Sequence, residues 1–100
     1  MNGTFQVKSQ TNNVTFEYKT TTMIVQGGYN KDATTTTLQS VNGTCYRVDK
    51  DGNMGEFLGN FNGYARDDQN IKYSMSEMSR KDANEVWDAI DEIEPEITGK

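Results

Sequence analysis

Hydrophobic and polar positions alternate along most of this chain, and only near its end does the period lengthen. Phe5 and Val7 share one face of residues 3–8. Val14, Phe16 and Tyr18 share one face of residues 13–19, against Thr15, Glu17 and Lys19 on the other. A period of two is that of a strand with one buried face. Gln10-Thr11-Asn12 reads as the turn between these two strands. Residues 22–26 form a short apolar strand that Gly27-Gly28 should stop. Residues 34–41 and 44–49 flank Asn42-Gly43, the dipeptide best suited to a two-residue hairpin turn with positive φ. Asp51-Gly52 turns the chain again into residues 55–66, where Asn62-Gly63 reads as another turn or a bulge. After a polar turn at residues 67–70, Ile71, Tyr73 and Met75 share one face of the last strand, residues 71–77.

The period then changes. Ala83, Val86, Trp87, Ile90 and Ile93 follow the spacing of one helical face. Ser79 followed by Asp82 supplies an approximate capping box, and Pro95 should end the helix, which is expected over residues 80–94 with a tail over 95–100. The expected fold is α+β. It is an antiparallel sheet or small half-open barrel of about five to seven hairpin-connected strands over residues 3–77, with one C-terminal amphipathic helix packed on it. Trp87 is expected to anchor that helix on the apolar strand face.

Composition sharpens this picture. The 100 residues suit one domain, 1–100, and show no linker or internal repeat. Leu, Ile, Val and Phe together number only 17, so five Tyr, five Met and Trp87 must help close the core. Cys45 is alone and cannot form an intramolecular disulfide. No stretch approaches the ~20 apolar residues of a membrane helix, and no membrane partner is expected. No signal-peptide pattern opens the chain, so the cytoplasm is the expected compartment, with secretion after signal removal the alternative.

Charge is distributed unevenly. Between Lys81 and Lys100 there is no basic residue, yet seven of the fifteen acids lie there. Residues 82–100 therefore carry a net of −6, and residues 1–81 a net of +1. On the expected helix Glu85, Asp88 and Glu92 lie opposite the Val86–Ile90 stripe, with Asp91 nearby. Asp88 and Glu92 are like charges at i, i+4, an arrangement that weakens a helix unless something outside it offers cations. This clustering makes Glu85, Asp88, Asp91 and Glu92 the candidate site for docking a basic surface of another protein.

Other chemistry has less support. There is no His, hence no Ser-His or Cys-His pair, and no phosphate-binding glycine motif; no enzyme activity and no cofactor are expected. Asp49-Lys50-Asp51-Gly52-Asn53 resembles the start of a calcium loop. Its sixth and twelfth residues, Met54 and Asn60, break that register, so a β-turn and no metal are expected. Three Asn-X-Thr triplets begin at Asn2, Asn13 and Asn42, about as many as the Asn, Ser and Thr content produces by chance. The pairs Tyr18-Lys19, Tyr46-Arg47 and Lys72-Tyr73 place ring and cation on opposite faces of a strand, with each Tyr expected in the core and each base in solvent. Only Tyr64 and Arg66 share a face, and no direct nucleic-acid contact is expected.

A small non-enzymatic interaction domain is therefore the expected function. The alternative is a β-rich domain that binds a small ligand or carbohydrate on aromatic platforms at Phe57, Phe61 and Tyr64, or at Tyr29, beside Gly52, Gly55, Gly59 and Gly63. Uncovered sheet edges, with residues 34–37 as an exposed strand, leave a homodimer open, though a monomer is favoured.

Overall fold

The computed structural model describes residues 3–10, 13–31, 38–65 and 71–98. Six strands and one helix follow in order: β1 (Thr4–Gln10), β2 (Asn13–Lys19), β3 (Met23–Lys31), β4 (Leu38–Val48), β5 (Met54–Ala65), β6 (Ile71–Ser76) and α1 (Arg80–Thr98). Each strand pairs antiparallel with the next, giving a six-stranded meander in the order β1-β2-β3-β4-β5-β6. The fold is thus α+β, an open antiparallel sheet with the C-terminal helix packed against one face. The expected turns at residues 10–12 and 67–70, and the strand at 34–37, lie wholly or partly outside the described residues.

One face of the sheet and one stripe of α1 form the core. Phe16, Tyr18, Met23, Val25, Val41, Cys45 and Phe61 from the strands are buried together with Val86, Ala89, Ile90, Ile93 and Ile97 from the helix. The alternation in β2 matches the sequence pattern, with Phe16 and Tyr18 buried and Thr15 and Lys19 exposed. At the helix start, Ser79 Oγ accepts the amide of Asp82 at 3.2 Å and Ser79 O accepts that of Ala83 at 2.9 Å, satisfying two first-turn donors.

Three expectations about punctuation are corrected. Asn42-Gly43 is not a hairpin turn: both residues lie inside β4, paired with Gly28 and Gly27 on one side and with Asn62 and Phe61 on the other. Gly43 is glycine for space, since a Cβ there would stand 2.4 Å from Phe61 Cε1 and 2.9 Å from Val25 Cγ1. Gly27-Gly28 does not stop β3, which continues through both to Lys31. Asn62-Gly63 is neither turn nor bulge but lies in unbroken register with β4 and β6. The two irregularities of β5 against β4 fall instead between residues 54 and 57 and between residues 57 and 59, where Gly59 takes φ 147°.

Asp51-Gly52 does turn the chain. Gly52 has φ 82°, and Asp49 Oδ1 accepts the amides of Asp51 and Asn53 at 2.9 Å each. Pro95 does not end the helix. It lies inside α1, where the missing amide removes one helical hydrogen bond, while Ile97 is fully buried one half-turn later. The hydroxyl of Thr98 also donates to Glu94 O at 2.8 Å. Burial of Ile97 holds the last turn in place.

Candidate functional site

The acids of α1 fall into two groups according to which way the helix turns them. Around the axis, at about 100° per residue, the buried stripe is flanked by Asp82, Glu85 and Glu92 on one side and by Trp87 and Glu94 on the other. Each flank reaches the sheet. Arg47 near the end of β4 donates from Nη1 to Glu85 Oε1 at 2.8 Å and from Nη2 to Asp82 Oδ1 at 2.7 Å. The Thr22 hydroxyl donates to Glu85 Oε2 at 2.5 Å. Further along, the Tyr18 phenol on β2 donates to Glu92 Oε2. On the other flank the Tyr73 phenol on β6 donates to Glu94 Oε1 at 2.8 Å.

These contacts shift the ionisation of Glu85, Arg47, Tyr18 and Tyr73. Burial alone would raise Glu85, but hydrogen bonds from Thr22 and Arg47 and the Arg47 charge outweigh it and hold the carboxyl below its ordinary value. Arg47 is raised, chiefly by its bond to Glu85. Tyr18 is raised well above its ordinary value by burial, then by its bond to Glu92. Tyr73 is raised likewise by burial and Glu94. Burial pushes the Cys45 thiol up to about 12, with a smaller contribution from Glu85, so it remains protonated at neutral pH.

Among the four candidate docking residues, Glu85 and Glu92 therefore face the sheet and hold the helix down. Asp88 and Asp91 stand on the exposed side of α1 and have no hydrogen-bond or ion-pair partner among the described residues. Trp87 is not the buried anchor that its place in the apolar repeat predicts. It lies at the margin of the stripe and is 44% exposed, its indole edge-on to the Tyr73 ring with centroids 5.6 Å apart. Ala89 and Ile97, outside the predicted stripe, complete the buried face instead.

The alternative aromatic site does not converge. Phe61 is buried under the helix, whereas Phe57 and Tyr64, 45% and 67% exposed, lie toward opposite ends of β5. Phe57 meets Tyr46 edge-on at 6.0 Å on the sheet face opposite the helix. Tyr29 contacts Phe16 on the helix side. Arg66 is outside the described residues.

Arg47 is the residue that sequence reasoning misses. Its neighbour Tyr46 is the expected core residue, but register pairs Arg47 with buried Met23, which turns the guanidinium toward α1 and Tyr46 away. Tyr18-Lys19 and Lys72-Tyr73 keep the expected sense, with each Tyr on the helix side. An isolated Arg in a strand preceding a helix that carries no base after Lys81 is the available signal.

No group of three or more potential metal-ligating side chains occurs among the described residues, and no described helix is long and apolar enough to cross a membrane. Comparison with protein-family models, with curated proteins and with solved structures found no match to this chain.

Proposed function

We propose that this is a non-enzymatic protein-interaction domain that docks a basic protein surface on the exposed side of α1, centred on Trp87, Asp88 and Asp91. The observation that carries this reading is Trp87, a large apolar ring left 44% exposed beside two carboxylates that no described residue neutralises. Asp91 is at i+4 from Trp87 and so shares its side of the helix. A Lys or Arg from a partner can lie over the indole and pair with Asp91 at once, combining a cation–π contact with an ion pair. Tyr73 restrains the indole and lowers the entropy cost of docking. Glu85, already paired with Arg47, and Glu92, bonded to Tyr18, add background field and no direct contact.

The test is capture from host extract on immobilised wild type, Trp87→Ala and Asp88→Lys/Asp91→Lys. Basic proteins retained by wild type, absent with either variant and released by moderate salt support the reading, because exposed charges are screened over about 8–10 Å at ordinary ionic strength. Recovery of the same proteins on all three rejects it.

A further inference from the structure

The face of the sheet opposite the helix has its own character. Register places Thr15, Gly28, Asn42, Asn62 and Ser74 in one row across five strands, and Asn13, Asn30, Ser40, Tyr64 and Lys72 in the next. A depression of about 380 Å³ opens over Gly28, lined on this face by Asn13, Thr15, Asn30, Ser40 and Asn42.

We propose that this depression, with Tyr64 as its platform, binds a neutral saccharide. Gly28 creates the hollow by having no side chain where its row neighbours have Thr15 and Asn42. Left-handed backbone does not account for it, and crowding accounts for it only in part. Its φ is not positive, and a Cβ would meet only the Val14 carbonyl oxygen, at 3.1 Å. Gly27, Gly43 and Gly63 differ, because at each of them a Cβ would strike an aromatic ring within 3 Å.

The lining chemistry selects the ligand. Among the described residues every polar side chain that lines the depression is an amide or a hydroxyl. The only charge in these two rows is Lys72, beyond Tyr64 on the next strand, so an ionic ligand inside the hollow would be desolvated without an adjacent counter-charge. Saccharide hydroxyls both donate and accept, as these groups do. The Ser40 hydroxyl donates to Asn30 Oδ1 at 2.6 Å, which fixes the Asn30 amide and leaves its Nδ2 donors for a ligand. Tyr64 is the register neighbour of Ser40, is 67% exposed and has no ring partner among the described residues. Its face can take the apolar C–H side of a pyranose while the amides hold the hydroxyl rim. The volume is within the range of small-ligand sites.

This site is on the opposite face from Trp87 and stands or falls independently of the docking reading. The experiment is an amide NMR titration of the full chain with cellohexaose, mannohexaose, xylohexaose and chitohexaose, and with polygalacturonate and oligothymidylate as charged controls. At least one neutral hexamer is expected to shift the amides of Gly28, Asn30, Asn42 and Tyr64. Tyr64→Ala and Gly28→Gln should each weaken that binding by about tenfold or more, the scale of a removed ring platform or a filled hollow. Tyr64→Ala removes only an exposed ring, so unchanged helix amides in that variant keep the result interpretable if Gly28→Gln perturbs β3. The proposal is overturned if no neutral hexamer shifts these amides, if Tyr64→Ala binds like wild type, or if only a charged polymer binds.

Discussion

Arg47 on β4 and Glu85 on α1 form a 2.8 Å ion pair across the sheet–helix interface, with Asp82 sharing the same guanidinium at 2.7 Å. One cation from the nearly neutral strand region is thereby shared by Asp82 and Glu85 and ties the first turns of the helix to the sheet. Both carboxylates are partly shielded from solvent, so the pairing lies between the weak surface case and the buried case.

Replacing Arg47 with Met leaves two acids facing each other without a cation. The expected loss is about 1–2 kcal/mol in urea unfolding at neutral pH. Because Glu85 is held below its ordinary value in the folded chain, its contribution is complete above the ordinary carboxyl range. It is lost as pH falls through the lowered value. The difference between wild type and Arg47→Met should therefore shrink on going from about pH 7 to about pH 3.

Trp87→Ala should cost much less than a core tryptophan does. The residue is 44% exposed and packs edge-on against a single ring, so about 1 kcal/mol is expected, against about 2–5 kcal/mol for Ile93→Ala at a position 2% exposed. Thermal unfolding of the two variants side by side checks the ordering.

The architecture is legible because its largest signals are periodic. Phe16 and Tyr18 in β2, Ile71, Tyr73 and Met75 in β6, and Val86, Ile90 and Ile93 in α1 all fall on the faces that their spacing implies. Glycine is not legible, because one residue type answers to several demands. Asn42-Gly43 satisfies a turn preference locally, yet Gly43 is required by the Phe61 ring across the ladder, a neighbour far away in sequence. Trp87 is misplaced by its spacing because a helix about 100° wide in its apolar stripe admits either margin, and only the position of Tyr73 decides which margin is covered. The division of the acids depends on Arg47, Tyr18 and Tyr73, none of which is near its helix partner in sequence.

Tyr18 offers a test at high pH. Its phenol is raised from the ordinary 10.0 by burial and by Glu92, so its contribution is complete below pH 10.0 and is lost as pH rises toward the folded value. Wild type should lose stability steeply above pH 10.0, and Tyr18→Phe, which cannot ionise there, should lose less. Thermal unfolding across that range reads the difference.

The division of the acidic helix into a half that holds the fold and a half open to a partner is tested most directly by one comparison. Urea unfolding at neutral pH is measured for Glu85→Gln/Glu92→Gln and for Asp88→Asn/Asp91→Asn beside wild type. The first pair gives up the negative charge in the bonds to Arg47 and Tyr18 and one of the two oxygens with which Glu85 accepts from Arg47 and Thr22, and a loss of about 1–3 kcal/mol is predicted. The second pair gives up no hydrogen bond or ion pair among the described residues and relieves the Asp88–Glu92 repulsion, so stability should be unchanged or raised by a few tenths, about 0.2–0.5 kcal/mol. Equal losses in the two pairs, or a larger loss in the second, would contradict this division.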